Sequence, residues 1–596
     1  MHKNSLLTLK ANKTKSKKFD AFQKCNLHFV SLPMVTAFPP LRHSFFIFSI
    51  LLAACLFSSC DGKRKKEHKI LRYNVGDETL SSLDPAFART NANIRATTQL
   101  FNGLVELDNE LKVIPSLATS WDISPDGRTY TFFLRKGVFF HDHAVFPDGK
   151  GREMTAHDIV FSFKRIIDSS VASTGAWVFN DKVLRTPSGK IADTCFLAKN
   201  DTTLKIYLDK PFPAFMEILA MPYGFVVPKE VVQQYGKDFR VHPIGTGPFC
   251  FKHWEETSTL IFLKNDHYWR FDAAGKRLPY LDAVQISFIT DKTLAFLTFS
   301  QGKLDFLVGI EENSPELFLE QDGTLKEEFK QRFVYDKHPY LYTEYLGFQM
   351  DRSFYKEKNP VFLHKKVRQA LNYAVNREEL IAYLRFNLGI KAATGMVPSA
   401  LPYFNKHQVK GYDYNPQKAL ELLKEAGYEH PSDLPEIKLY TSAPYRYIAE
   451  HLQKQWSDIG IAVKLEINQA ATHRQMIEKG FAHFFRGSWT GDYPDAENYL
   501  SLFYSKNFTP SGPNKCHYAN PAFDALFEKA IKETDPDKRN QLYFQLDQMV
   551  MDDAPVIVLF YDQIIRLTQP YVKGLEINAM NTLTLERVDI VKEESK

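Results

Sequence analysis

From Ile70 onward, apolar and polar positions switch between a period of two and a period near 3.6. Residues 70–75 (ILRYNV) predict a strand. Tyr130, Phe132 and Leu134 alternate with Thr131, Phe133 and Arg135, which predicts a half-buried strand whose polar face is broken by Phe133 alone. Val367, Ala370, Leu371, Ala374 and Val375 share one helical face. Asn415-Pro416 and Gly427 bracket a helix with a cap, a proline in its first turn and a glycine just past its end. Ile437 and Leu439 mark a strand. A helix follows, with Ile448, Leu452, Trp456 and Ile459 on one face and Gly460 at its end. Ile461, Val463, Leu465 and Ile467 then alternate in another strand. A strand, helix and strand in that length form a βαβ unit, so the class is α/β with parallel or mixed sheets. Asp535-Pro536 opens a helix carrying Leu542, Leu546, Met549 and Val550, and 556–560 is a continuous apolar strand.

The amino-terminal region follows different rules. Residues 44–59 are an apolar run after Arg42 and His43, and the charged stretch 61–69 follows. That is the layout of a secretory signal, too short for an ordinary membrane span, with an uncleaved anchor as the other reading. Ser58-Ser59-Cys60 resembles a bacterial lipobox, in which the cysteine is diacylated and becomes the new amino terminus. Leu52-Ala53-Ala54-Cys55 is the rival by residue type, but Cys60 sits better, at the end of the apolar run. Residues 1–59 are therefore read as leader, with Met34 as an alternative start, and 60–69 as a tether.

Length and charge narrow the class further. A chain of 596 residues exceeds one ordinary core, so two or more lobes are expected. The formal net charge of +5 comes from the leader: beyond Cys60 there are 67 basic and 69 acidic residues. That balance carries no bulk signal for nucleic acid. Cys195, Cys250 and Cys516, the cysteines beyond the leader, are widely spaced and form no zinc or disulfide framework.

Several motifs occur in a fixed order. They are Ser82-Leu83-Asp84-Pro85, the block 117–142 (LATSWDISPDGRTYTFFLRKGVFFHD) with 154–162 (MTAHDIVFS), 244–249 (IGTGPF), 265–269 (NDHYW) and 302–305 (GKLD). Residues 367–380 (VRQALNYAVNREEL), 412–428 (YDYNPQKALELLKEAGY) and 489–500 (WTGDYPDAENYL) follow. In order and spacing they resemble the family 5 bacterial solute-binding proteins, the oligopeptide, dipeptide and nickel binders, over nearly all of the chain after Ile70. Most have structural explanations: the Gly245/Gly247 pair is expected in a tight turn at positive φ, and Trp121, Tyr130 and Phe132 in a core.

The resemblance implies a two-lobed periplasmic-binding-protein fold with a hinge. Lobe I spans about 70–335, with a subdomain near 104–225, and regains 560–596; lobe II spans 336–559. The chain crosses near Asp336-Lys337-His338 and near Tyr561-Asp562. The implied function is capture of peptides outside the cytoplasm, at the periplasm or cell envelope, by a monomer anchored to the membrane through its lipid. Delivery goes to ABC permease and ATPase subunits, with no cofactor, no nucleic acid and no enzymatic turnover.

In peptide-binding relatives the acid of a Trp-x-x-Asp motif accepts the ligand's α-ammonium group. Trp489-Thr490-Gly491-Asp492 fits that motif. A ligand amine entering a cleft is desolvated, so a carboxylate must meet it. Asp492 is thus the expected ammonium acceptor, with Trp489 walling the pocket and Gly491 allowing close approach; its other reading is a turn acid before Tyr493-Pro494, a role that suits Asp495. No residue stands out for the ligand's carboxylate. His141-Asp142-His143 has metal-dipeptide spacing in a widened loop, and nickel chelate, haem or oligosaccharide remain alternative ligands. A secreted hydrolase is the reading from another class: Gly487-Ser488-Trp489-Thr490-Gly491 places its serine one position too early for a nucleophile elbow.

Overall fold

The computed structural model describes residues 68–591 except 77, 309–314, 403 and 405–407. Leader, tether and the candidate acylation sites Cys55 and Cys60 lie outside the described residues. No helix among the described residues is long and apolar enough to cross a membrane.

An eleven-stranded sheet organises the body. Its two central strands, Val334–Phe348 and Val556–Thr568, are unusually long and pair antiparallel in two stretches. Residues 334–339 pair with 563–568, and 343–347 with 556–561, with a register shift between Pro339 and Thr343. On one side lie Phe306–Val308, Ile70–Asn74, Ala283–Ser287, Thr259–Lys264 and Phe249–Glu255. On the other lie Phe484–Thr490, Ile437–Ser442 and Val463–Asn468, and the eleventh strand, Ile390–Lys391, pairs with Val556–Thr568 off this path. Two lobes thus share one sheet through two strands. A separate four-stranded sheet, from Ala118–Ile123, Thr129–Leu134, Thr203–Tyr207 and Phe196–Asn200, packs with the first lobe.

Local chemistry explains the elements. Ile437–Ser442 and Val463–Asn468 are parallel, joined by the helix Arg446–Asp458, as the βαβ spacing predicts. Asn415 caps the helix Pro416–Glu425 by accepting from the Lys418 amide at 2.9 Å, and Gly427 follows at φ +94°. Successive residues on the central strands serve opposite faces. Tyr345 and Phe485 join one core cluster of the second lobe, while Leu346, Phe348 and Phe484 join another on the other face. Tyr130, Phe132 and Leu134 are buried and Phe133 is exposed, as alternation requires.

Two local expectations change. Ile467 is exposed, because it sits near the end of the sheet's edge strand. Gly245 and Gly247 are not at positive φ. A Cβ on Gly245 would meet the Leu100 carbonyl oxygen at 2.2 Å, and one on Gly247 the Leu100 carbonyl carbon at 2.4 Å. Both glycines are needed for close approach of two backbones, not for turn geometry.

Candidate ligand-binding site

Trp489 and Thr490 end the strand Phe484–Thr490, opposite Thr343 and Tyr342 of the central strand. The chain stays attached one residue further: the Gly491 amide donates to the Leu341 carbonyl at 2.8 Å, and the Tyr499 hydroxyl donates to the same oxygen at 2.7 Å. A Cβ on Gly491 would meet the Tyr499 hydroxyl at 2.8 Å, so this glycine makes room for Tyr499. Asn498, 4 % exposed, ties the motif together by accepting from Trp489 Nε1 at 2.8 Å and from the Asp492 amide at 3.1 Å. Nothing in the sequence marks Asn498, because its role exists only where the helix Ala496–Leu500 turns back on the strand.

Asp492 is exposed to solvent at the end of this strand and forms no ion pair among the described residues. The surrounding protein still desolvates its carboxyl and raises its pKa to about 6, with an Asn498 hydrogen bond acting in the opposite direction. Tyr499 of its own lobe and Tyr223 of the first lobe are both within its electrostatic reach. Asp495 is different: it is buried, caps the next helix through the Glu497 amide at 2.9 Å and pairs with Arg539 at 3.2 Å. The structural acid and the unpaired acid are therefore separate residues.

The cation nearest the motif in sequence is already neutralised. Arg486 meets both Glu344 oxygens at 2.5 Å and donates to the Tyr342 hydroxyl at 2.9 Å, which in turn donates to Glu344 at 2.8 Å. Its guanidinium lies 3.4 Å over the Tyr445 ring.

The histidine motif does not converge. His141 is buried, its Nε2 bonded to the Gly247 carbonyl at 3.0 Å, and burial lowers its pKa to about 4. Asp142 pairs with Lys150 at 2.7 Å, and His143 Nε2 lies 3.2 Å from the Tyr235 hydroxyl. Among the described residues, no group of three or more His, Cys, Asp or Glu side chains is arranged to hold a metal ion. Cys195, Cys250 and Cys516 are free thiols.

The chain is similar to the glutathione-binding protein GsiB of Pectobacterium atrosepticum, 28% identical over 521 residues, covering 86% of this chain and 93% of that protein. It is 27% identical to the dipeptide-binding protein of Escherichia coli, covering 83% and 90%. Among solved structures it resembles the periplasmic binding protein DppA of Helicobacter pylori in complex with the peptide STSA, with a TM-score of 0.67, 26% identity, and 88% and 98% coverage. The sequence profile of the bacterial extracellular solute-binding proteins, family 5 middle, matches residues 112–511, and the chain belongs to that family of extracytoplasmic binding proteins.

Proposed function

We propose that this protein captures peptides with a free amino terminus between its lobes and delivers them to an ABC permease, without turning them over. The observation that supports this most directly is Asp492, a carboxylate that forms no ion pair among the described residues and whose pKa its surroundings raise to about 6. A carboxylate whose surroundings disfavour its charge is stabilised by a cation from the ligand, and an α-ammonium group supplies one. Trp489 and Gly491 support the acid through Asn498 and Leu341. The extended ligand backbone would supply sequence-independent hydrogen bonds. Similarity to glutathione- and dipeptide-binding proteins agrees with this ligand class.

In this reading lobe I is 70–335 with 560–596 and lobe II is 336–559. The hinge lies at the register shift between Pro339 and Thr343, beside Tyr561 and Asp562. Strands resist slipping but twist readily, so a two-strand crossing favours rigid-body closure. Cys60 carries the lipid that holds the monomer at the envelope membrane.

A double-mutant cycle tests the site. Binding of a tripeptide and its N-acetylated form is measured calorimetrically with wild type and Asp492→Asn. Acetylation should weaken wild-type binding roughly a hundredfold and the variant's little, because both changes delete one interaction. Losses that simply add would separate Asp492 from the amine.

A further inference from the structure

Away from the shared sheet the two lobes also meet directly. A Cβ on Gly127 of the first lobe would lie 3.1 Å from Pro211 Cβ and 3.3 Å from Thr534 Cγ2 of the second. Thr534 leads into the helix Pro536–Asp553, so the amino end of that helix rests on the turn before the strand Thr129–Leu134. One turn in, the Arg539 amide donates to the Asp535 carbonyl at 2.9 Å. Its side chain is 15% exposed and is held by Asp495 through Nη2 alone, at 3.2 Å. Nε and Nη1 are buried with no hydrogen-bond partner among the described residues.

The opposing surface of the first lobe is the segment 211–219. Tyr130 donates to the Phe212 carbonyl at 3.4 Å, and its ring meets Phe215 edge-on at 5.2 Å. Glu217 follows on the helix Phe215–Leu219, and its Oε2 is likewise buried without a partner among the described residues. Glu217 and Arg539 both act on the Tyr130 hydroxyl, and Asp495 and Arg539 are the charges that act on Glu217. A second couple repeats the pattern with the signs exchanged. Lys182 of the first lobe donates to the Trp177 carbonyl at 3.2 Å and lies 5.2 Å over the Phe212 ring. It feels the charge of Glu497 of the second lobe, whose carboxylate accepts from the Tyr493 hydroxyl. An acid and a base on one lobe thus face a base and an acid on the other. Desolvated groups of opposite charge that lack a direct partner gain most from meeting.

We propose that Glu217 and Arg539 form an ion pair across the lobes when the protein closes on its ligand, and that this pair, with Lys182 and Glu497 beside it, latches the closed form. This rests on the reading that peptides are captured between the lobes, and it adds a contact that sets how long they stay. None of the four residues is asked to touch the ligand. Asp495 holds Arg539 in place before closure and leaves its other two edges open for Glu217.

The probe is tri-alanine, mixed with the full chain in stopped-flow and calorimetric measurements. Glu217→Gln should leave the association rate nearly unchanged and raise the dissociation rate roughly 30-fold, because the latch forms after capture. The thermal midpoint of the unliganded variant should not fall, since Glu217 has no direct partner to lose there. Arg539→Gln should weaken binding at least as much, and the double variant no more than the larger single loss. Losses that add, or an unchanged dissociation rate in Glu217→Gln, overturn the pair; the second result needs no folded Arg539 variant. A ligand-free arm separates this from the peptide reading. Glu217→Arg places a cation against Arg539 and Lys182, so small-angle scattering of the unliganded chain should show a larger radius of gyration than wild type or Glu217→Gln. An unchanged radius overturns the latch. If wild type binds no tri-alanine but Glu217→Arg still opens the lobes, the peptide reading falls and the latch stands.

Discussion

Tyr493 of the second lobe is buried in the core cluster of the first, with its ring 6.4 Å from Trp177 and inclined at 29°. It follows Asp492 directly in the chain. The acid proposed to meet the ligand and the aromatic that packs on the opposite lobe are therefore adjacent in the chain, and in the proposed mechanism ligand contact would be coupled to closure through them.

Removing that ring should loosen the closed form. A stacked aromatic pair contributes about 0.5–1.5 kcal/mol beyond its buried area. Tyr493→Ala should weaken peptide binding by roughly tenfold. Small-angle scattering should show a smaller ligand-induced fall in radius of gyration than in wild type. Wild-type affinity in the variant would mean that the contact plays no part in closure.

Binding should depend on pH through Asp492. Its carboxyl sits at about 6 in the unliganded protein, and a bound ammonium group would hold it ionised to lower pH. The complex thus favours the deprotonated form, and affinity should be full above pH 7 and fall as pH drops through 6. The limiting slope is about tenfold per pH unit. Calorimetry from pH 5 to 8 would show it, and Asp492→Asn should flatten the profile. A slope that persists in the variant would assign the titration to another group.

Gly245→Ala should be severe although the residue is far from Asp492 in sequence. The added methyl would sit 2.2 Å from a backbone oxygen, which cannot swing away as a side chain can. Overpacking typically costs about 1–3 kcal/mol, and a backbone clash belongs at or above the top of that range. Thermal unfolding should show a clearly lowered midpoint. A wild-type midpoint would refute the close-approach explanation.

Acylation at Cys60 can be checked by metabolic labelling with a palmitate analogue. Wild type should carry label and Cys60→Ala should not. Label kept in Cys60→Ala and lost in Cys55→Ala would move the site to Cys55. Durable anchoring needs more than one chain, so a multiply acylated terminus is expected.

Much of this protein is written in local patterns. Helix 416–425 announces itself through Asn415, Pro416 and Gly427, because capping and positive φ are decided within a few residues. Burial of alternate residues in the strand Thr129–Leu134 follows from a period of two, and the ordered motifs identify the family. What depends on distant chain segments was not legible. Gly245 and Gly247 look like turn glycines until Leu100, far back in the chain, is found against them. Asn498 is an ordinary polar residue until the fold sets it against Trp489 and Asp492. Arg95 and Arg566 are 471 positions apart, and nothing local signals that two like charges will be buried together. Local geometry is set by torsional preference and hydrophobic period, which neighbouring residues share. Which distant charges are buried together is set by which segments the fold packs against one another, here the helix Asn91–Leu100 and the strand Val556–Thr568.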